Sequence, residues 1–286
     1  MQTFEKQKNF VKIKLEGELS VEKTFDCGQC FRFDRVRDSD HEAEFGGVAY
    51  GRAVSFAVEG DELYIYGSDL EDYERIWKRY LGLDVDYSAV NADILSRSDN
   101  PALKNAIEFG RGIRILRQEP WEAVCSFIVS QNNNIPRIKK IIAAMSERYG
   151  EHLGGGNYAF PTAQAVAEAG ERGMFELKTG FRAKYLADAA ARVLDGRLDL
   201  SAVEELDSTA DCAKKLCEVK GIGPKVAACS LLFGFGKYDA FPVDVWIRRV
   251  MEKYFAPGFE PAELGPYAGI AQQYLFYYER YLGGES

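Results

Sequence analysis

The sequence predicts an α+β fold: an N-terminal antiparallel β-sheet domain with packed helices, followed by two mainly α-helical subdomains. Three observations carry this expectation. Polar and apolar residues alternate over residues 1 to about 68, apolar spacing is helical almost throughout from about Asp99, and Lys220-Gly221-Ile222-Gly223-Pro224 breaks one helical segment from the next. A period of two sends alternate side chains to opposite faces of a sheet, whereas a period of 3.6 gathers them on one stripe of a helix.

The alternation is clearest in Val11-Lys12-Ile13-Lys14-Leu15 and Glu62-Leu63-Tyr64-Ile65-Tyr66, with Glu59-Gly60-Asp61 as a hairpin turn. Over residues 70–83, Leu70, Tyr73, Ile76, Trp77, Tyr80 and Leu81 have helical spacing, which predicts a helix packed across one sheet face. The change of period places a domain boundary between residues 95 and 118. We therefore expect residues 1–110 to form the β/α domain and residues 111–286 the helical region, with a cleft between its two subdomains. Gly154-Gly155-Gly156, Gly180 and the hairpin break interrupt the helical pattern.

With 47% hydrophobic and 13% aromatic residues, the 286-residue chain can build substantial cores. The start, MQTFEKQKNFVKIK, lacks the basic-then-apolar pattern of a secretory leader, and the longest apolar runs are too short for a bilayer span. An intracellular location is expected, cytoplasmic and nucleoid-associated if the source is prokaryotic. Six scattered cysteines predict reduced thiols rather than a disulfide framework. A net charge of −8 argues against coating nucleic acid through a large basic face. Phosphate contacts would have to be local, made by helix-end amides and a small strip of Lys184, Lys220, Arg248 and Arg249.

The densest chemistry lies between Leu216 and Arg249. Ala213 to Val219 has helical composition, the glycines flanking Ile222 permit a tight turn, and Pro224 suits the first position of a new helix, where its missing N–H costs nothing. The unpaired N–H groups of that helix point outward and make an anion site. Lys225 falls in the first turn, and a neutral lysine amine is a nucleophile. After an apolar hairpin of helices, Asp244 precedes the helical pattern from Val245 to Tyr254 and is expected to cap it, its carboxylate held by backbone donors.

The combination LxxxxGIGxKxA followed by PVDV resembles the helix-hairpin-helix DNA glycosylase superfamily. The resemblance makes Lys225 and Asp244 the catalytic pair and assigns DNA-backbone contacts to Gly221, Gly223, Val226 and Trp246. Many relatives carry histidine where Trp246 stands, so this chain offers an indole N–H but no charge there.

Four further stretches narrow the resemblance to the 8-oxoguanine DNA glycosylase/AP lyase family. In CGQCFRF, Gly28 matches the residue whose carbonyl accepts from N7–H of the oxidised base. Guanine has an acceptor at N7 and 8-oxoguanine a donor, so one fixed carbonyl separates them. In LRQEPWEAVCSFIVSQNNNIPRI, Asn132 is implied to fill the gap left by the extruded nucleotide, and Arg137 to donate to the estranged cytosine. In TGFRAKYL, Phe181 replaces a tyrosine wedge, and Arg182 is implied to be a second reader of cytosine. In GPYAGIAQQYLFYY, Gln272 and Phe276 share a helix face; Gln272 is implied to bond the Watson–Crick edge of the flipped base and Phe276 to stack on it, with Cys229 opposite.

The implied reaction is bifunctional: extrusion of the base, attack of Lys225 on C1′, a Schiff base, and β-elimination of the 3′ phosphate. The implied partner is double-stranded DNA with 8-oxoguanine opposite cytosine, met by a monomer that does not engage a membrane. No cofactor is implied and no catalytic metal, although a structural ion at the carbonyls of Cys217, Val219 and Ile222 is compatible with the resemblance. Cys229 is the last cysteine, which excludes the iron–sulfur cluster of the endonuclease III branch. With two histidines and no second CxxC, a four-ligand zinc site on Cys27 and Cys30 is not expected. Two alternatives remain at this point: a sibling glycosylase for another damaged base, or a noncatalytic DNA-binding module that would need only the hairpin.

Overall fold

A computed structural model of the chain describes residues 9–282, so the leader reading of residues 1–8 lies outside the described residues. Strands β1 (Phe10–Lys14), β2 (Phe33–Arg35), β3 (Glu44–Ala49), β4 (Arg52–Glu59) and β5 (Glu62–Tyr66) form one antiparallel sheet in the order β1-β5-β4-β3-β2. The β4–β5 turn falls where the sequence places it: Glu59 pairs with Glu62, and Gly60 takes φ +61°. The strand alternation is interrupted by a short helix not evident in the pattern, α1 (Val21–Asp26), whose N-cap Ser20 accepts from the Lys23 N–H. Its Phe25 stacks on Phe33, Phe45 and Phe56 with ring centroids 4.5, 5.8 and 5.6 Å away. That stack anchors α1 and the loop after it to the sheet.

The helix expected over residues 70–83 is present as α2 (Leu70–Asp72), a π turn (Tyr73–Trp77) and α3 (Lys78–Tyr80). Tyr73, Trp77, Tyr80 and Leu81 bury against Phe56 and the sheet, but Leu70 stays exposed. The extra residue of a π turn rotates what precedes it off the helical stripe.

The remaining helices build a second core. They are α4 (Tyr87–Arg97), α5 (Pro101–Phe109), α6 (Pro120–Ser130), α7 (Ile135–Tyr149), α8 (Ala163–Glu176), α9 (Ala183–Leu194), α10 (Leu200–Glu205), α11 (Thr209–Cys217), α12 (Pro224–Gly234), α13 (Val245–Tyr254) and α14 (Ala268–Leu282). Helix α6 is buried on every side from Glu122 to Val129 and packs on α12, α7 and α9. Each fully buried large aliphatic there contributes about 1.5–3 kcal/mol. Helices α4 and α5, on the sheet side of the boundary expected at residue 110, bury Val90, Ile94, Leu103 and Ala106 in this helical core, and α5 packs on α14.

One expected interruption is present and one local expectation is corrected. The Gly154–Gly156 interruption is a two-stranded hairpin, β6 (His152–Gly154) with β7 (Asn157–Tyr158), made by three successive residues at positive φ. Between Lys225 and Asp244 there is one helix, α12, and a non-helical return rather than a pair of helices. Gly236 at φ +64° turns the chain out of α12, and Pro242 lacks the N–H a helix interior needs.

Candidate active site

The hairpin between α11 and α12 is closed by Val219 N–H donating to the Leu216 carbonyl and Ile222 N–H to the Val219 carbonyl, both at 3.0–3.1 Å. Helix α11 stops at Cys217, two residues short of the expected Val219, because the chain is already turning toward Gly221 at φ +86°. The Val219 carbonyl keeps a second lone pair, so an ion at this turn is not blocked by that bond. The two hairpin glycines have different jobs. A Cβ at Gly221 would lie 2.3 Å from the Tyr185 ring, whereas a Cβ at Gly223 meets nothing within 4 Å. Gly221 closes the hairpin onto α9, and Gly223 keeps its outer side open. Gly221→Ala is expected to cost about 3 kcal/mol through left-handed strain and overpacking, against about 1 kcal/mol for Gly223→Ala at the N-cap. Thermal unfolding of the two variants checks this; equal losses would refute it.

Lys225, half-buried in the first turn of α12, stands one turn before Cys229, with its Nζ 5.9 Å from the Phe127 ring centroid. Burial pushes the Cys229 thiol up; the Lys225 charge pulls it back and the Asp244 carboxylate raises it, so the three groups share one local field. Asp244 is the N-cap of α13 as expected, its Oδ1 accepting from the Ile247 N–H at 2.8 Å. Trp246 is half-buried, with the Arg249 guanidinium 5.4 Å from its ring centroid.

Phe127 links this end of the site to the CGQC loop, since it packs edge-on to Phe31 at 5.8 Å. Gly28 takes φ +79°, and a Cβ there would sit 3.5 Å from both Ile135 and Phe276, so the loop, the start of α7 and α14 converge. On α14, half-buried Phe276 follows Gln272 by one turn. Gln272 is 4% exposed, and its Oε1 has no hydrogen-bond partner among the described residues. An orphaned buried amide oxygen costs about 1–3 kcal/mol until a donor reaches it.

The asparagine run is divided by function. Asn133 donates to the Val129 carbonyl, Asn134 caps α7 by accepting from the Arg137 N–H, and Asn132 is left exposed at the tip with φ +46°, a conformation asparagine tolerates better than most residues. Phe181 is 48% exposed, and Arg137 is exposed with one bond to the Lys178 carbonyl. Arg182 departs from the expectation that both arginines are presented to a base. It is 2% exposed and donates to the carbonyls of Gln131, Asn132 and Thr179, while lying 4.4 Å from the Phe181 ring centroid. Burial, and then the neighbouring Arg137 charge, lower its pKa. In this structure Arg182 clamps the Asn132 loop to the Phe181 turn, and of the two only Arg137 faces outward.

Among the described residues no group of three or more His, Cys, Asp or Glu could hold a metal ion. Cys27 and Cys30 are free and buried, and burial pushes Cys27 up to about 12 and raises Cys30 as well. Sequence reasoning missed the polar residues that hold the site from behind: Gln29, Gln118, Gln273 and the buried Arg32–Glu122 ion pair at 3.1 Å. Their one signal was amide and charged residues inside otherwise apolar stretches.

The family model of the 8-oxoguanine DNA glycosylase N-terminal domain matches residues 12–124, and that of the HhH-GPD superfamily of base excision DNA repair proteins matches residues 125–263. A probable N-glycosylase/DNA lyase of Methanothermobacter thermautotrophicus is 30% identical over 224 residues, spanning 67% of this chain and 71% of that protein. The chain belongs to the 8-oxoguanine DNA glycosylase/AP lyase family. As a member of that family, this glycosylase is also 29% identical to N-glycosylase/DNA lyase OGG1 of Arabidopsis thaliana, over 93% of its own length and 75% of the other. Its fold matches the Clostridium acetobutylicum 8-oxoguanine glycosylase/lyase, solved with double-stranded DNA containing cytosine opposite 8-oxoguanine, at TM-score 0.87 and 38% identity over 99% and 100% of the two chains. The predicted α+β fold class stands, with its five-stranded sheet and helix-hairpin-helix. No described helix is long and apolar enough to cross a membrane.

Proposed function

We propose that this chain extrudes 8-oxoguanine from duplex DNA, excises it through Lys225 and cuts the strand at the resulting abasic site. The observation that carries the base assignment is the buried, orphaned Oε1 of Gln272 beside Phe276 and the Gly28 loop. An amide oxygen needs a donor, and the Watson–Crick edge of 8-oxoguanine supplies N–H groups. The Gly28 carbonyl takes N7–H, which guanine lacks.

In the reaction, the Lys225 amine adds to C1′ as the glycosidic bond breaks, and the departing base takes the electron pair and a proton. Asp244, held by its cap bond, stabilises positive charge on the sugar. Ring opening leaves a Schiff base whose iminium acidifies the 2′ proton, and the 3′ phosphate departs by β-elimination, with the excised base as proton carrier. The α12 N-terminus and the open side of Gly223 receive a backbone phosphate, assisted by Val226 N–H, Trp246 and the turn of Gly221. An ion at the carbonyls of Cys217, Val219 and Ile222 would strengthen that contact. Asn132 and Phe181 fill and wedge the stack, and Arg137 reads the estranged cytosine. The enzyme acts as a monomer inside the cell, where its DNA is.

Borohydride trapping on duplexes with 8-oxoguanine opposite each of the four bases tests this reading. A covalent adduct is expected, forming roughly tenfold faster opposite cytosine, the worth of one good base contact. Equal trapping opposite all four bases would remove the role given to Arg137. No adduct and no base release would favour a sibling enzyme for another lesion.

A further inference from the structure

We propose that Gln273 is a positioning residue for lesion recognition: its side-chain amide locks the peptide beside Gly28, so that the Gly28 carbonyl is held where the N7–H of 8-oxoguanine arrives. The inference rests on the reading of Gly28 given above and adds the group that makes that carbonyl rigid.

The loop is pinned one carbonyl at a time. Gln273 Nε2 donates to the Cys27 carbonyl at 2.8 Å, and Gln118 Nε2 donates to the Gln29 carbonyl at 2.8 Å, both bonds buried. The Gln29 side chain donates to the carbonyls of Thr24 and Arg114 and accepts from the Leu116 N–H, each at 2.8 Å. The carbonyl between the two pinned ones is that of Gly28, to which no described residue donates. Glycine at φ +79° is the softest residue in the loop, and without fixed neighbours its peptide plane could turn. A carbonyl that turns can accommodate either an N–H or a lone pair at N7, and discrimination is lost. Buried donors on both flanking carbonyls prevent this, since releasing either leaves an unpaired polar group in a dry site.

Gln273 also ties the loop to the opposite wall of the base site. It follows Gln272 directly on α14, and consecutive helix side chains point about 100° apart, so one turn of helix supplies the amide offered to the flipped base and the amide that fixes the loop. The two recognition groups are thereby registered to each other across 246 residues of sequence.

The test uses Gln273→Met, which keeps the side chain's length and removes the donor, and Gln273→Glu, which sets a carboxylate against the Cys27 carbonyl. Single-turnover rates are measured on 8-oxoguanine opposite cytosine, on 7-deaza-8-oxoguanine, which carries C–H at position 7, and on a preformed abasic site that needs no base recognition. Gln273→Met is expected to slow 8-oxoguanine excision roughly three- to tenfold, the value of one neutral hydrogen bond, and Gln273→Glu to slow it further. Cleavage of the abasic site should stay within about twofold, and the preference of the enzyme for 8-oxoguanine over the deaza base should narrow. Gln273→Met with an unchanged ratio of 8-oxoguanine to abasic-site rates would overturn the proposal, as would equal losses on both substrates, the signature of a packing role. Wild-type enzyme that treats the deaza base like 8-oxoguanine would overturn the Gly28 reading instead.

Discussion

Lys225→Gln is expected to abolish the borohydride-trapped adduct and to slow base release on the order of 10⁴-fold or more, about 5 kcal/mol of barrier. The loss should be specific to chemistry. Glutamine is as good a helix former as lysine, and Lys225 occupies a half-buried first-turn position one turn before Cys229. Thermal stability should therefore move by less than about 1 kcal/mol. Binding to a duplex with 8-oxoguanine should survive within a few-fold, because the phosphate site proposed above uses backbone amides at the α12 N-terminus and not this side chain. Gel-based trapping, single-turnover excision and a binding titration on one variant separate these terms. A residual adduct of wild-type intensity would move the Schiff base to another amine and undo the assignment.

Asp244→Asn should lower excision about 10²- to 10³-fold, the usual range for removing one preorganised electrostatic group from a site, while leaving α13 intact. Asparagine caps helices as well as aspartate does, so the Ile247 N–H keeps its acceptor and the fold has no reason to loosen. Only the negative charge is removed from the field that Lys225 and Cys229 share. Asp244→Ala should combine the loss of rate with about 1 kcal/mol of lost stability, since both charge and cap go. Circular dichroism melts beside excision rates distinguish the two substitutions. An Asn variant of near-wild-type rate would reduce Asp244 to a cap.

Much of this protein was legible before any coordinate was known, and the legible parts are those set by neighbours in sequence. Period-two alternation marked the strands around Glu59-Gly60-Asp61, glycine and proline chemistry marked the turn before Lys225, and the residue ahead of an amphipathic run marked Asp244 as a cap. These are backbone preferences that act over a few residues, so a window of sequence holds them. Placement by distant partners was not legible. That Gly221 faces Tyr185 while Gly223 faces open space, and that Arg182 spends its donors on the Asn132 loop, depends on helices that meet only after folding. The helical allegiance of α4 and α5 is of the same kind: α5 packs on α14, and α4 on the Pro261–Tyr267 segment that leads into α14. Sequence alone determined which residues could do chemistry and where the turns had to be. Tertiary structure decided which of those side chains are presented and which are spent on holding others, as Gln273 is on the Cys27 carbonyl, because a hydrogen bond that closes a 246-residue interval leaves no periodic trace along the chain.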